Sequence, residues 1–300
     1  MPSPLKLTFV VATRDRPDEL IRMWRSLRSQ SRVPDEVVIV DASARPSTLV
    51  GPQAGPPALC YIRTAVASAT RQRNIGLDAV RPEAGLVGFL DDDAVLEEGA
   101  VEEMLRFWGS AGAEVGGAAF NMTNHPPLRA ARWKSLPFVE HAGIYGRKPG
   151  AVLKSGFQTM IGTVAETTPT AWLPSGAVVW RREVLRRLKF DEWFSDYGYL
   201  EDLDFSYGVG KSLVLKVVAG ARYAHHPQAS SRLDPFRFGR KEVANRLYFV
   251  RKNPELSPGL CRLALCLRML MSLADGILRG KGQELRRARG NLVSLLNCGR

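Results

Sequence analysis

Three apolar runs of strand length in the first third of the chain limit its fold more than any other feature. They cover residues 5–12, 36–40 and 86–90, and helix-like patterns lie between them, the first beginning at Pro17. Strands that alternate with helices favour a mainly parallel sheet flanked by helices. The sequence therefore predicts a Rossmann-like α/β domain, for which 300 residues are ample.

Polar side chains follow each of these runs directly. Thr13, Arg14 and Asp15 follow the first, Asp41 the second, and Asp91–Asp93 the third. In open parallel sheets, ligands bind beyond the carboxyl ends of the strands. We therefore expect these side chains to meet along one edge of the sheet and to form a binding site there.

The acidic triplet indicates a metal site. Adjacent carboxylates repel one another and cost stability unless a cation compensates. Asp91 and Asp93 point the same way in an extended chain, and hard divalent cations such as Mn²⁺ or Mg²⁺ take carboxylate and diphosphate oxygens together. A solvated turn that caps the next helix is the alternative interpretation.

A second acidic pair, Glu201–Asp202, opens a predicted helix. A carboxylate near a helix N-terminus stays ionised and can accept a proton from a hydroxyl, although acids favour the first turn of any helix. His225 follows an apolar strand and can complete a metal's ligand shell or have a purely structural role.

A basic segment lies on another predicted helix, at residues 70–80. Its polar side chains Arg71, Arg73 and Asn74 can neutralise a diphosphate or hydrogen-bond a nucleotide base. They can equally form a solvated helix face.

The net charge of +12 is concentrated in the tail. Residues 233–300 hold 14 Lys/Arg against 5 Asp/Glu, whereas the rest of the chain holds 28 against 25. This distribution does not suggest a nucleic-acid partner. Residues 260–280 and the following segment form two basic amphipathic helices. Either they lie on a membrane with the Arg268–Arg279 stripe facing lipid headgroups, or they pack on the protein or on a second subunit.

Compartment signals are weak. The four cysteines show no CxxC pair or zinc spacing, the N-terminus does not read as a signal peptide, and no uninterrupted apolar stretch is long enough to span a bilayer. We expect a cytoplasmic protein, peripheral on the inner face of the cytoplasmic membrane if the tail binds lipid.

Seven motifs in order, between residues 10 and 249, resemble those of family 2 glycosyltransferases with the GT-A fold. They are VVATRDRPDEL, VVIVDAS, ATRQRNIGL, FLDDDAVLEEG, LPSGAVVWRREVL, FDEWFSDYGYLEDLDFSY and YAHHPQASSR. The resemblance implies an inverting, metal-dependent enzyme. It moves a sugar from a nucleotide-diphosphate sugar to a hydroxyl acceptor, a glycan or lipid-linked glycan, as in polysaccharide biosynthesis.

The resemblance also implies roles for individual residues. The implied donor-binding residues are Thr13, Arg14, Asp15, Asp41, Arg71, Arg73, Asn74, Asp91 and Asp92. Asp91, Asp93 and His225 would hold the metal, Asp202 would be the base with Glu201 as its rival, and the acceptor-side residues would be Trp172, Gly176 and Arg181. Two departures concern Ala42, where the family often has Asp, and Gly208, where many members have Arg.

The expected organisation is a catalytic domain over residues 1–250, with halves 1–120 and 121–250, followed by a helical tail over 251–300. Two other functions are possible in principle. A sugar-phosphate nucleotidyltransferase would need a glycine-rich loop after the first strand, which ATRDRP lacks. A non-catalytic nucleotide-sugar-binding protein would be expected to lose the acids, which are present. No GxGxxG follows the first strand, which argues against a dehydrogenase.

Overall fold

The computed structural model describes residues 5–47, 55–126, 140, 143–195, 198–227 and 233–297. The chain divides into two compact units, one of Met1–Pro127 with Ile161–Pro227 and one of Leu128–Met160 with Gln228–Arg300. Residues 128–160 and 228–250, which the expected organisation assigns to the catalytic domain, therefore group with the tail.

One sheet forms the centre of the first unit. Its strands are β1 (Leu7–Thr13), β2 (Glu36–Asp41), β3 (Ala58–Arg63), β4 (Leu86–Asp91), β5 (Ala94–Leu96), β6 (Val115–Met122), β7 (Thr168–Thr170), β8 (Ala177–Arg181) and β9 (Val214–His225). The order is β3-β2-β1-β4-β8-β6-β9-β5, and β7 pairs with β9. The sheet is parallel from β3 to β4, but β8 runs antiparallel to β4 and β6. The part of the sheet beyond β4 is therefore mixed rather than mainly parallel. The direction of a strand cannot be read from an apolar run.

Helices cover both faces of this sheet. They are α1 (Pro17–Arg28), α2 (Ala69–Ala79), α3 (Ala100–Ser110), α4 (Arg182–Arg187) and α5 (Glu201–Gly210). Strand β1 explains the two layers, since successive side chains point to opposite faces. Phe9 and Val11 pack with α1 and α3, whereas Val10 packs with the layer of α2, α4 and α5.

The apolar runs 5–12, 36–40 and 86–90 and the helices predicted at Pro17, at 70–80 and at Glu201 exist, with boundaries shifted by at most two residues. Strand β9 is the longest of the described strands, with 12 residues. Strand β6 was not predicted. Residues 143–167 are irregular apart from one isolated bridge, Val152–Gln158. Residues 127–139 and 141–142 lie outside the described residues.

Three helices dominate the second unit: α6 (Pro235–Lys252), α7 (Pro258–Leu278) and α8 (Gly282–Asn297). Asp234 caps α6 by accepting hydrogen bonds from the backbone amides of Phe236 and Arg237, and the Ser257 hydroxyl caps α7. The close crossing of α6 and α8 requires Gly239, because a Cβ there would lie 2.2 Å from the Arg287 carbonyl oxygen.

Polar groups fill the centre of this helical unit. The Glu242 carboxylate of α6 accepts hydrogen bonds from Arg287 and Asn291 of α8, and Arg268 of α7 lies 3.6 Å away. Ser272 of α7 is also buried. Arg268 and Ser272 of this polar stripe therefore face the helical interior, whereas Arg279 at its end is exposed. This corrects the expectation that Arg268 faces lipid headgroups. Among the described helices, none has the length and hydropathy needed to cross a membrane.

Candidate functional site

The ends of three parallel strands place the predicted site at one edge of the sheet. Thr13 of β1 pairs with Asp41 of β2, and Ala12 of β1 pairs with Asp91 of β4. The polar residues that end these strands are therefore level with one another, as expected from a parallel arrangement.

Two carboxylates and one imidazole meet at this edge. Ligand atoms of Asp91, Asp93 and His225 all lie within 4.8 Å of one another. The pairing of β5 with β9 sets this geometry, because Ala94 lies opposite His225 and the Nε2 of His225 is 2.9 Å from Oδ1 of Asp93. This donor set of hard oxygens with one nitrogen fits Mn²⁺ or Mg²⁺.

Asp92 points away from that trio into a hydrogen-bonded position. It accepts a hydrogen bond from the Thr13 hydroxyl at 2.7 Å and one from Arg16 at 2.9 Å. Arg16 also lies 3.4 Å from Asp93, so one guanidinium joins two of the three acids. Sequence reasoning missed Arg16, although a cation directly after β1 and opposite an acidic triplet is a usable signal.

The charges at this edge shift one another's pKa values. Burial raises the pKa of Asp92 to about 6, against the opposing effect of Arg16. Burial also disfavours ionised Asp93, but the hydrogen bond and charge of His225 and the charge of Arg16 outweigh it and lower the pKa of Asp93. The same hydrogen bond raises the pKa of His225.

The second acidic pair lies within electrostatic range of the first cluster. Arg73 is buried and donates to Glu201 at 2.9 Å and to Asp91 at 3.0 Å. Burial and the charge of Asp202 raise the pKa of Glu201 to about 8, although Arg73 opposes the shift. Burial and the charge of Asp91 raise the pKa of Asp202, although the hydrogen bond from the Leu203 amide and the charge of Arg73 oppose the shift. Of the two acids, Asp202 is the more exposed and Glu201 is the one bound to Arg73.

Strained backbone marks the loops on both sides of the site. Among the described non-glycine residues, only Asp15 (φ 53°) and Leu200 (φ 77°) have left-handed backbone. Asp15 lies in the loop after β1, and Leu200 directly precedes the acidic pair. Such conformations persist where surrounding contacts hold them, and they are frequent at functional sites.

A cavity of about 310 Å³ adjoins the ends of β1 and β2. Its lining includes Thr13, Asp15, Arg16 and residues 43–47. Asp41 is fully buried beside it and accepts hydrogen bonds from the Ser43 amide and the Tyr61 hydroxyl. Burial raises the pKa of Asp41, but these hydrogen bonds and the charge of Arg63 give a net lowering.

Gln72 holds the strand ends beside this cavity together, and sequence reasoning missed it. Its side-chain amide donates to the carbonyl oxygens of Thr13 and Val40, each at 2.9 Å. Its position on α2 could have indicated this role, because one of the three consecutive helical residues 71–73 must face the sheet.

Several predicted donor-binding residues have other contacts. The Asn74 amide donates to the Phe190 carbonyl at 2.9 Å and accepts from the Phe190 amide at 3.0 Å, so it fixes a loop. Arg71 is exposed and bonded to Glu192 at 2.7 Å. Neither contacts the Asp91–Asp93 triplet in this structure, and their donor-binding role stays a prediction. Arg14 is exposed and lies 3.4 Å from Asp15.

The three predicted acceptor-side residues lie in different parts of the first unit. Gly176 lies at the site, where a Cβ would be 3.3 Å from Oδ2 of Asp91. Trp172 is buried before β8. Arg181 is misplaced by the prediction: it pairs with Leu86 at the opposite edge, because β8 runs antiparallel to β4. Its guanidinium donates there to three carbonyl oxygens and lies over Trp108.

Solved glycosyltransferase structures share this fold. S. aureus TarS 1–349 in complex with UDP-GlcNAc has a TM-score of 0.54 and 14% identity, over 93% of this chain and 75% of that one. GalNAc-T7 with UDP, GalNAc and Mn²⁺ has a TM-score of 0.59 and 13% identity, over 85% of this chain and 52% of that one. S. aureus TarS itself matches with a TM-score of 0.53 and 14% identity over 90% of this chain, which spans 44% of TarS. These likenesses confirm the predicted GT-A class of fold.

Sequence comparison gives the family. No curated protein sequence matches the chain significantly. The family model for glycosyl transferase family 2 matches residues 8–161, which contain β1 to β6 and the whole acidic triplet. That match covers more than half of the chain and confirms the resemblance of its motifs. The chain therefore belongs to glycosyl transferase family 2.

Proposed function

We propose that this chain transfers a sugar from a nucleotide-diphosphate sugar to a hydroxyl of a glycan or lipid-linked glycan, with inversion at the anomeric carbon and with Mn²⁺ or Mg²⁺ bound. The observation that carries the proposal is the meeting of Asp91, Asp93 and His225 at the strand edge with Asp202 in electrostatic range of Asp91. We also propose that the enzyme acts at the inner face of the cytoplasmic membrane.

The donor would lie along the edge formed by β1, β2 and β4. The cavity beside Thr13 and residues 43–47 has the volume for a nucleoside. Asp91, Asp93 and His225 would hold the cation, which supplies positive charge against the diphosphate. Arg16, between Asp92 and Asp93, places a second positive charge beside that diphosphate.

Asp202 would accept the proton of the acceptor hydroxyl as the new glycosidic bond forms. Glu201 is less suited, because it is bound to Arg73 and a pKa of about 8 keeps much of it protonated at neutral pH. Attack from the Asp202 side, in line with the leaving diphosphate, gives inversion.

A donor screen tests the proposal. Hydrolysis and transfer are measured against a panel of nucleotide sugars, with Mn²⁺, with Mg²⁺ and with excess chelator. We expect turnover that chelation abolishes and that Asp93→Ala reduces to near background. Glu98→Ala, which removes a nearby exposed acid, is the matched control and should retain activity.

The screen, with one added assay of a nucleoside triphosphate and a sugar phosphate, also separates the other two functions. Full turnover in excess chelator would contradict metal dependence. Donor binding without hydrolysis or transfer would favour a non-catalytic binding protein. Release of pyrophosphate from a nucleoside triphosphate and a sugar phosphate would favour a nucleotidyltransferase.

A further inference from the structure

The helices of the second unit bury a cluster of polar side chains and expose large aliphatic ones. Their shared interior holds Glu242, Arg287 and Asn291, with Arg268 at its margin. Their outer surface carries large exposed aliphatic side chains, which are Leu263, Leu270, Leu273, Ile277 and Leu278 of α7 and Leu285, Leu292 and Leu296 of α8. An apolar surface rarely faces water over such a length, and large exposed patches mark interaction sites.

Helical geometry shows how far the apolar residues extend along each of the two helices. At 100° per residue, every residue of α7 within about 60° of Leu270 is apolar from Leu263 to Ile277. Leu270 and Ile277 are 52% and 66% exposed. On α8, Leu285, Leu292 and Leu296 lie within about 40° of one another. We call these eight side chains the aliphatic face.

Basic side chains flank the aliphatic face. Arg262 is about 80° from Leu270 on α7, and Arg289 is about 60° from Leu292 on α8. Both are exposed, as are Arg279 and Lys281 at the turn between the helices. Residues 233–300 carry 14 Lys/Arg against 5 Asp/Glu. A surface with leucines at its centre and cations at its border matches the interface of an anionic bilayer.

We propose that the aliphatic face of α7 and α8 docks this chain on an anionic lipid surface. The leucines enter the acyl boundary and the flanking arginines contact headgroup phosphates. A second copy of the chain is disfavoured as occupant, because it would bring two strongly basic surfaces together.

This docking rests on the proposed function only for its purpose, which is to hold the enzyme beside a lipid-linked acceptor. The physical attachment depends on side chains of the second unit and on none of the residues that line the strand edge. Flotation with vesicles and sugar transfer to a soluble acceptor can therefore fail independently.

Vesicle flotation of the full chain tests the proposal. Vesicles of equal parts phosphatidylglycerol and phosphatidylcholine are compared with phosphatidylcholine alone, at low and high salt. We expect flotation with the anionic vesicles at low salt and a decrease at high salt. The double variant Leu270→Gln/Ile277→Gln should reduce binding at least about 10-fold, because two large aliphatic groups leave the acyl boundary.

Leu188→Gln is the matched control, since Leu188 is 43% exposed in the first unit and lies outside the aliphatic face. Circular dichroism checks that each variant is folded. We expect folded variants, because the substituted side chains are exposed. The proposal is overturned if the full chain fails to float at low salt, if it floats equally with neutral vesicles, or if the double variant still floats. Light scattering that reveals a dimer, dissociated by the same two substitutions, would overturn it in favour of self-association.

Discussion

The strand edge and the helical unit both bury acidic side chains, but Asp92 and Glu201 of the edge differ from Glu242 of the helical unit in how far neighbouring groups compensate their charge. At the edge, burial raises the pKa values of Asp92 and Glu201, so ionisation of these acids is disfavoured in the fold. In the helical unit, burial also acts to raise the pKa of Glu242, but hydrogen bonds from Arg287 outweigh it and the pKa falls.

This difference in pKa shifts distinguishes a candidate functional site from a structural ion pair. Glu242 is surrounded by donors on two neighbouring helices and is fully compensated, which stabilises the packing. At the edge, Asp92 and Glu201 remain under-compensated despite Arg16 and Arg73, whereas His225 and Arg16 compensate Asp93. Perturbed carboxylates that crowd one another in this manner are typical of functional sites, where an added cation or substrate completes the balance.

The largest effect that would sharpen this comparison is expected at Asp202. Asp202→Asn keeps the size of the side chain but cannot accept a proton, so kcat should fall about 10²–10⁴-fold while donor binding hardly changes. The free energy of unfolding should stay constant or rise, because a carboxylate with a raised pKa is destabilising when ionised. Single-turnover kinetics and urea unfolding measure the two quantities.

Glu201→Gln is the matched variant for that experiment. A residue with a pKa of about 8 is largely protonated at neutral pH, so its neutral replacement should change kcat much less. If Glu201→Gln proves the more damaging substitution, the assignment of the base within the pair is wrong.

The next effect concerns the stability of the helical unit. Glu242→Ala removes the buried carboxylate that accepts hydrogen bonds from Arg287 and Asn291, which should lower the free energy of unfolding by about 3–5 kcal/mol. Urea unfolding midpoints measure this loss. Glu255→Ala, an exposed acid of the same unit, is the control and should change the free energy by less than about 0.5 kcal/mol.

The stability that Glu242 contributes should depend on pH with a defined sign. Its pKa in the folded chain is below the ordinary value of 4.5, so its contribution is present above about pH 4.5 and is lost as the pH falls through the folded value. Glu242→Gln should therefore flatten acid unfolding in that window. An unchanged acid profile would mean that Glu242 is not the compensated ion that the comparison requires.

The smallest effect is expected at Arg181, which the structure places at the opposite edge of the sheet from the acids. Arg181→Ala removes hydrogen bonds to three carbonyl oxygens and should lower the free energy of unfolding by about 1–3 kcal/mol, without changing the KM of donor or acceptor. The exposed Arg186→Ala is the control. A raised acceptor KM in Arg181→Ala alone would restore the acceptor-side role.

Much of the first unit could be predicted from local pattern. The apolar runs that became β1, β2 and β4 are each followed by polar residues, and parallel strands bring such ends together whatever lies between them. Strand β6, with its small residues in Gly116–Ala119, and helix α6 lacked a clear periodic signal and were missed. Their place depends on neighbours that are remote in sequence.

The sequence by itself determined the family, the alternation of strands and helices, and the identity of the acids at the strand ends, because these follow from short-range pattern and motif order. Only the tertiary structure decided which partners those residues meet. Periodicity tells which side chains share a helix face, but not which face turns inward, so the expectation that Arg268 faces lipid was wrong. It also leaves strand direction open, and that direction placed Gly176 beside Asp91 and Arg181 at the far edge.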